Sequence, residues 1–210
     1  MVPLNIGHLA KPGMGEDMQY NAVVLLRNGA ECRLRNGVEQ DGRAVFDNFN
    51  ATHAQSDYLL AYPDENRFDA AQEGEFLREK SENDREVELV ALIDDVIVGT
   101  AGIESLGSQY KVRHRAEFGV SVDKAYWGLG VGSALLSACI KCAMLAGYKQ
   151  LELNVVADNT RALTLYSKNG FVEYGRNPRG FYSRISGFQE LVYMRLDLDV
   201  VRGVVCSTGD

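Results

Sequence analysis

Gly128, Gly130 and Gly132 recur at alternate positions within Ala116 to Leu136, AEFGVSVDKAYWGLGVGSALL, and Ser133 follows the third of them. An extended apolar run precedes these glycines and a long helical run follows. Such a loop lets backbone approach a ligand closely. The first amides of the helix behind it lack internal partners and carry the positive end of its dipole, so together they suit an anion, a pyrophosphate above all. A tight helix start without ligand is the plainer reading of the same residues. Two familiar phosphate loops fail here. A Walker loop needs Gly-Lys-Ser or Gly-Lys-Thr, whereas this helix opens on Gly132-Ser133 without a lysine. A dinucleotide fingerprint needs GxGxxG close after its strand; here Asp123 to Trp127 intervene and the spacing is GxGxG, which argues against hydride transfer.

A second ordered pattern lies downstream: Asn159, Arg161, Ala162, Leu165, Tyr166, Lys168, Gly170 and Phe171 spell N-x-R-A-x-x-L-Y-x-K-x-G-F. Asn159 suits a helix N-cap, and Tyr166, about two turns on, shares its face.

The elements that must hold these residues follow from pattern. Residues 1–20 show no sustained period and are expected to form a flexible extension. AVVLL and ECRLR flank Asn28-Gly29, a hairpin signal because both turn positions tolerate positive φ. Apolar spacing predicts helices from Gly42 to about Leu60 and from Phe68 to about Glu82. VELVALI, Asp94-Asp95 and VIVGTAGI read as a second hairpin. A polar loop from Glu104 to His114 leads into the strand AEFGVSV; after the glycine-led helix come the strand YKQLELNVV, a helix closed by Gly170, and two last strands, FVEYG and LVYMRLDL. This order predicts an α/β fold of three layers: a mixed, mostly antiparallel sheet with parallel βαβ steps and helices on both faces. One domain is expected over 21–198, with 199–210 as a tail.

Composition narrows the partners. With 29 acidic and 22 basic residues the 210-residue chain carries a formal net charge of −7, which repels phosphate backbones and anionic lipid, so neither nucleic acid nor membrane is expected as a partner. The sequence contains no apolar run long enough for a membrane helix and no signal-peptide core near its start, and a cytoplasmic protein is expected. Cys32, Cys139, Cys142 and Cys206 are read as free thiols, the Cys139-x-x-Cys142 pair as helix core. His8, His53 and His114 share no metal-ligand spacing, and no metal is assigned.

The two ordered patterns together resemble the Gcn5-related N-acetyltransferase superfamily. Trp127 to Gly132, W-G-L-G-V-G, fits its Gln/Arg-x-x-Gly-x-Gly/Ala motif except at Trp127, and Lys124 stands where proline is frequent. The resemblance implies acetyl-CoA as cosubstrate, with Gly128, Gly130, Gly132 and Ser133 at its pyrophosphate. Its pantetheine arm would run along Glu117 to Val122, where that strand splays from the parallel strand Leu151 to Val156. A bulge at Gly119 would turn the backbone of Val120 and Val122 toward it. Asn159 would touch the same arm. Tyr166 would protonate the departing thiolate. Transfer to an amine needs a base, and Glu117, on the strand beside the cofactor, is the candidate, with Glu104, Glu152 and Tyr174 as weaker ones. A backbone amide near Val120 or Val122 would stabilise the oxyanion. Direct transfer to a primary amine of an amino acid, peptide or protein is expected, possible also for a polyamine or aminoglycoside. A silent acyl-CoA-binding module is the alternative from another class, and a homodimer is the family-based expectation. Arg176, Arg179 and Arg184, beside Phe181 and Tyr182, could hold a carboxylate on the amine.

Overall fold

The computed structural model describes residues 18–199. Cys206, His8 and most of the two expected extensions lie outside them. Strands β1 (Asn21–Leu25) and β2 (Glu31–Asn36) are followed by helices α1 (Gly42–Gln55) and α2 (Ala70–Ser81). Then come β3 (Val87–Ile93), β4 (Val96–Ser105), β5 (Arg115–Val122), α3 (Val131–Leu145), β6 (Gln150–Val156), α4 (Thr160–Lys168), β7 (Val172–Ser183) and β8 (Gly187–Asp197). All eight strands join one sheet in the order β1-β2-β3-β4-β5-β6-β8-β7. Only β5 and β6 run parallel, as the crossover through α3 requires; the other neighbours are antiparallel. The expected three-layer α/β arrangement is what forms.

Alternation along the strands feeds two cores. On one face Leu89, Ile103, Phe118, Leu151 and Leu153 meet α3 through Leu135, Ala138, Cys139 and Cys142. The expected helix-core role of the Cys139-x-x-Cys142 pair is thus observed. On the other face α1 and α2 cover only a small cluster of Val45, Leu77, Val90, Leu92 and Ile97. A fully buried leucine such as Leu77 contributes ~2 kcal/mol. The first core reaches further upstream than the expected domain start, for Met18 and Tyr20 are buried in it.

Both hairpins form, with their turn chemistry exchanged. At Asn28-Gly29 only Gly29 takes positive φ, in a loop closed by the Leu26 amide on the Ala30 carbonyl. Asp94 and Asp95 both take positive φ, at 49° and 61°, the pattern of a two-residue primed turn. Helix α1 ends at Gln55, short of Leu60, because Asp57 and Tyr62 are drawn into a network with the β7–β8 hairpin. Asp69 starts α2 with a reciprocal cap: its carboxylate accepts from the Ala71 and Gln72 amides at 2.9 Å while the Gln72 side chain accepts the Asp69 amide at 3.0 Å. The last hairpin is longer than expected, since β7 continues from Val172 to Ser183 and β8 begins at Gly187.

Candidate active site

The sheet opens between its two parallel strands. β5 and β6 pair only through Arg115–Gln150, Ala116–Leu151 and Glu117–Glu152. Beyond that point β5 stays with β4 as far as Val122 while β6 stays with β8 as far as Val156, so the strands part into a notch. The β4–β5 register runs unbroken past Gly119, opposite Gly102, and this corrects the expected bulge: the opening arises from lost pairing on the β6 side. Backbone direction alternates along β5. Arg115 and Asp123 bond toward β4, which leaves the even-numbered groups of Phe118, Val120 and Val122 facing the notch. One of these is already taken, because Trp127 Nε1 donates to the Val122 carbonyl at 2.7 Å. The expectation for Val122 is corrected to that extent. Val120 remains in the open stretch.

At the foot of the notch the register lines up three carboxylates across β4, β5 and β6: Glu104 opposite Glu117, and Glu117 opposite Glu152. All three side chains lie on the face of α1 and α2, because their sequence neighbours Ile103, Phe118 and Leu151 fill the other core. The outer two are neutralised. Lys80 Nζ lies 3.0 Å from Glu104 and 2.7 Å from Glu86. Arg115 Nη2 donates to Glu152 Oε2 at 2.8 Å, and the Tyr174 hydroxyl donates to the same oxygen at 3.2 Å. Although burial works against it, the Arg115 fork holds Glu152 below the ordinary glutamate range. Glu117 has no cation among the described residues. Its one side-chain partner is Asn154 Nδ2, at 3.1 Å. Burial first, then Glu104, then Glu152, raise its pKa. Of the four carboxyl and phenol groups weighed from sequence as bases, Glu104, Glu152 and Tyr174 are engaged with partners of their own.

Beyond the end of β5 the loop residues Gly128 and Gly130 take φ of 81° and 110°, a region in which a side chain would be strained. Gly130 is the N-cap of α3 and, unlike Asp69, offers no side chain, so the amides of Val131, Gly132 and Ser133 keep no capping acceptor. The loop is braced from behind: the Arg27 amide donates to the Leu129 carbonyl at 3.0 Å, and Arg27 Nη1 to that of Gly128 at 3.2 Å. Trp127, in place of the motif's polar residue, carries the Arg161 guanidinium 4.6 Å above its ring. Sequence reasoning missed this pair; arginine two residues after a helix cap was the available signal.

Asn159 caps α4, its Oδ1 accepting the Ala162 amide at 3.2 Å. Tyr166 is buried on the α3 face, edge-on to Phe118 at 6.2 Å between ring centres and tilted against Phe171 at 5.8 Å. Its hydroxyl has no hydrogen-bond partner among the described residues, and burial pushes its pKa up to about 12. Glu117 and Tyr166 thus lie on opposite faces of the sheet, and the notch joins them. The arginines expected to hold a carboxylate are otherwise occupied. Arg176 pairs with Glu173 and Glu190, Arg184 with Asp64 and Glu65, and Arg179 stacks on Phe188 at 3.7 Å. Near them Asp57 accepts from Ser183, Ser186, Tyr62 and Gln189, all within 3.1 Å, tying the segment after α1 to the last hairpin.

A sheet that parts in this way beside an uncapped, glycine-led helix has the architecture of the acetyltransferases that the two sequence patterns resemble. Residues 50–171 match the model of the Acetyltransferase (GNAT) family, and the chain belongs to that family. It is similar to the GNAT-family acetyltransferase of Streptococcus pneumoniae, with a TM-score of 0.75 and 27% identity over 79% of this chain and 98% of that one. It also resembles yncA of Salmonella typhimurium, solved with its cofactor acetyl-CoA, at a TM-score of 0.71 and 21% identity, covering 80% of this chain and 94% of that one. Among curated relatives, the L-amino acid N-acetyltransferase AaaT of Escherichia coli (strain K12) is 36% identical over 85 residues, 40% of this chain. The mycothiol acetyltransferase of Jonesia denitrificans is 43% identical over 58 residues, 28% of this chain. The aligned stretches span 52% and 18% of those two relatives.

Proposed function

We propose that this chain is an acetyl-CoA-dependent N-acetyltransferase that moves acetyl directly to a primary amine while both substrates are bound. The observation that carries this reading is Glu117: a carboxylate without a counter-ion among the described residues, raised in pKa by burial and two flanking carboxylates, at the point where β5 and β6 separate. The site fits the cofactor. Uncapped amides at the start of α3, led by two glycines in the left-handed region, suit the pyrophosphate; on this reading the notch-facing backbone of Val120 and the side chain of Asn159, which caps α4, would meet the amide-bearing arm. When bound, acetyl-CoA supplies the thioester carbonyl that an amine attacks.

The side chains then divide the work. Glu117 takes one proton from the incoming ammonium, directly or through water, which frees the nitrogen lone pair. A notch-facing amide of β5, that of Val120, donates to the carbonyl oxygen as charge develops there. The new C–N bond forms as the C–S bond breaks, and the Tyr166 hydroxyl donates to the leaving sulfur. A phenol near 12 is a far weaker acid than a thiol near 8.5, so Tyr166 stabilises the thiolate by a hydrogen bond, and the proton released by the amine completes the thiol. Among the described residues a covalent acetyl-cysteine has no support. Cys32 and Cys142 are buried with thiols pushed up to about 11 and about 12, too basic to supply a thiolate. An amino acid or peptide amine is the favoured acceptor, in keeping with the name of AaaT.

Calorimetric titration with acetyl-CoA and CoA, followed by a screen of amines for thiol release, tests the reading. Binding of acetyl-CoA, with thiol released only when amine is present, is the expected result. No binding, or an acetylated protein that forms before amine is added, overturns it.

A further inference from the structure

Cations around the glycine loop go unmatched. Arg27 reaches the loop from the β1–β2 turn, Lys124 stands in the single helical turn Lys124–Tyr126 after β5, and Arg161 takes the second position of α4. None of the three makes an ion pair among the described residues. In a chain of net charge −7 carboxylates are plentiful, and Lys80, Arg115, Arg176 and Arg184 each find one. Asp123 is the acid next to Lys124 in the chain, yet its carboxylate accepts from the Ala125 amide at 2.9 Å and from Gln55 Nε2 at 3.2 Å.

Trp127 gathers two of these charges. Its Nε1 donates to the Val122 carbonyl at 2.7 Å, which pins the indole to the end of β5 immediately before Gly128. The Arg161 guanidinium lies 4.6 Å from the ring centre and the Lys124 ammonium 5.9 Å. No other ring among the described residues carries two cations. The two charges therefore stand within about 10 Å of each other, a Debye length at 0.1 M salt, and repel. The electron-rich ring offsets part of that repulsion. An anion within reach of both would turn the rest into attraction.

The fold brings Arg161 to the loop. One turn further along α4, Leu165 lies 3.8 Å from where a Cβ on Gly132 would stand, and residues four apart share a helix face. On the acetyltransferase reading the amides of Val131, Gly132 and Ser133 serve the pyrophosphate, and they are neutral donors. Arg27 is committed to the Gly128 carbonyl, at 3.2 Å. What remains beside the loop is a pair of whole positive charges. A phosphate monoester matches them: near neutral pH it carries roughly two negative charges and three acceptor oxygens. A guanidinium lying on an aromatic ring keeps its edge N–H groups free for such oxygens, whereas a carboxylate or a pyrophosphate oxygen brings a single charge. Coenzyme A holds one monoester, on the ribose 3′ carbon, on the far side of the pyrophosphate from its thiol.

Resting on the acetyltransferase reading, we propose that Arg161 and Lys124, mounted on Trp127, receive the ribose 3′-phosphate of CoA, and that through them this chain selects CoA over its 3′-dephospho form. Trp127 is a positioning residue in this arrangement. It stands where the sequence motif has glutamine or arginine, and it draws the cations of two neighbouring elements to one place instead of supplying a polar group itself.

Calorimetric titration with CoA and with 3′-dephospho-CoA separates this site from that of the pyrophosphate, which both ligands carry. The parent should bind CoA about tenfold more tightly, and added salt should shrink the preference. In Arg161→Met, and separately in Lys124→Met, the ratio should fall toward unity through weaker CoA binding alone, with dephospho-CoA bound as in the parent. Arg161→Lys keeps the charge and should retain part of the preference. Trp127→Leu leaves both cations in the chain, yet its ratio should fall as well. Arg161 and Lys124 are exposed, and melting curves of each variant register folding separately. A parent that binds both ligands equally overturns the proposal while leaving the acetyltransferase reading intact. So does an Arg161→Met variant that loses affinity for both in equal measure, for the cations would then serve the pyrophosphate. A Trp127→Leu ratio equal to the parent's overturns the positioning role of the indole. Binding of neither ligand sinks the broader reading.

Discussion

Replacing Glu117 by glutamine removes the proton acceptor while keeping the shape of the side chain and its contact with Asn154. A positioned general base contributes about 100-fold to 10,000-fold. The lower half of that range, a fall in kcat of ~100-fold to 1,000-fold, is expected here, because Glu117 is open to the notch and water can replace part of its role. Acetyl-CoA affinity should stay as it was, since the carboxylate lies on the face opposite Tyr166. Stability should move the other way. Glu117 has a raised pKa in the folded protein, so between its unfolded and folded values the native state holds more protons, and the contribution to stability falls as pH rises. Glutamine removes that loss, and the variant should melt at the same temperature or higher at neutral pH. The activity profile supplies a third reading. In the parent kcat should climb with pH through an acid limb set by Glu117, displaced upward from the ordinary glutamate value, with Glu152, held down by Arg115, contributing little. Stopped assays of thiol release across pH, with calorimetry and melting curves alongside, measure all three. A loss of less than about tenfold, or an acid limb that survives in the variant, refutes the assignment of the base.

Tyr166→Phe keeps the rings packed against Phe118 and Phe171 and removes a hydroxyl without a partner among the described residues, so kcat should fall by about tenfold or more while calorimetric affinity for acetyl-CoA and the melting temperature hold. In Gly130→Ala the N-cap must keep a φ of 110°, at a cost of roughly 1–2 kcal/mol; both the melting temperature and acetyl-CoA affinity should drop. Arg115→Ala leaves Glu152, whose side chain is 8% exposed, without its cation, and urea denaturation should register a loss of roughly 3 kcal/mol.

What could be read from the sequence was local. The glycine loop, the Asn159 cap and the helix behind each depend on residues within a few positions of one another, and all stand where periodicity and turn chemistry put them. Glu117 could be singled out by its place on a strand leading to that loop, yet what separates it from Glu104 and Glu152 is the cations those two acquire from α2 and from the start of β5. Gly119 misled for the same reason. Its strand is regular against β4, and the opening comes from where β6 stops pairing, which no residue in β5 encodes. The arginines of the last hairpin looked available because Asp64 and Glu65, the partners of Arg184, lie far away in the chain.

The opposition of Glu117 and Tyr166 across the sheet gives the reaction two doors. On the proposed mechanism the amine arrives, and its acetylated form departs, on the side of α1 and α2, while the spent thiol is withdrawn on the side of α3 and α4. On that mechanism neither product would stand in the other's way, and turnover would not need an imposed sequence of departures. A cell could alter traffic at one door, by crowding or by a competing amine, without touching the other.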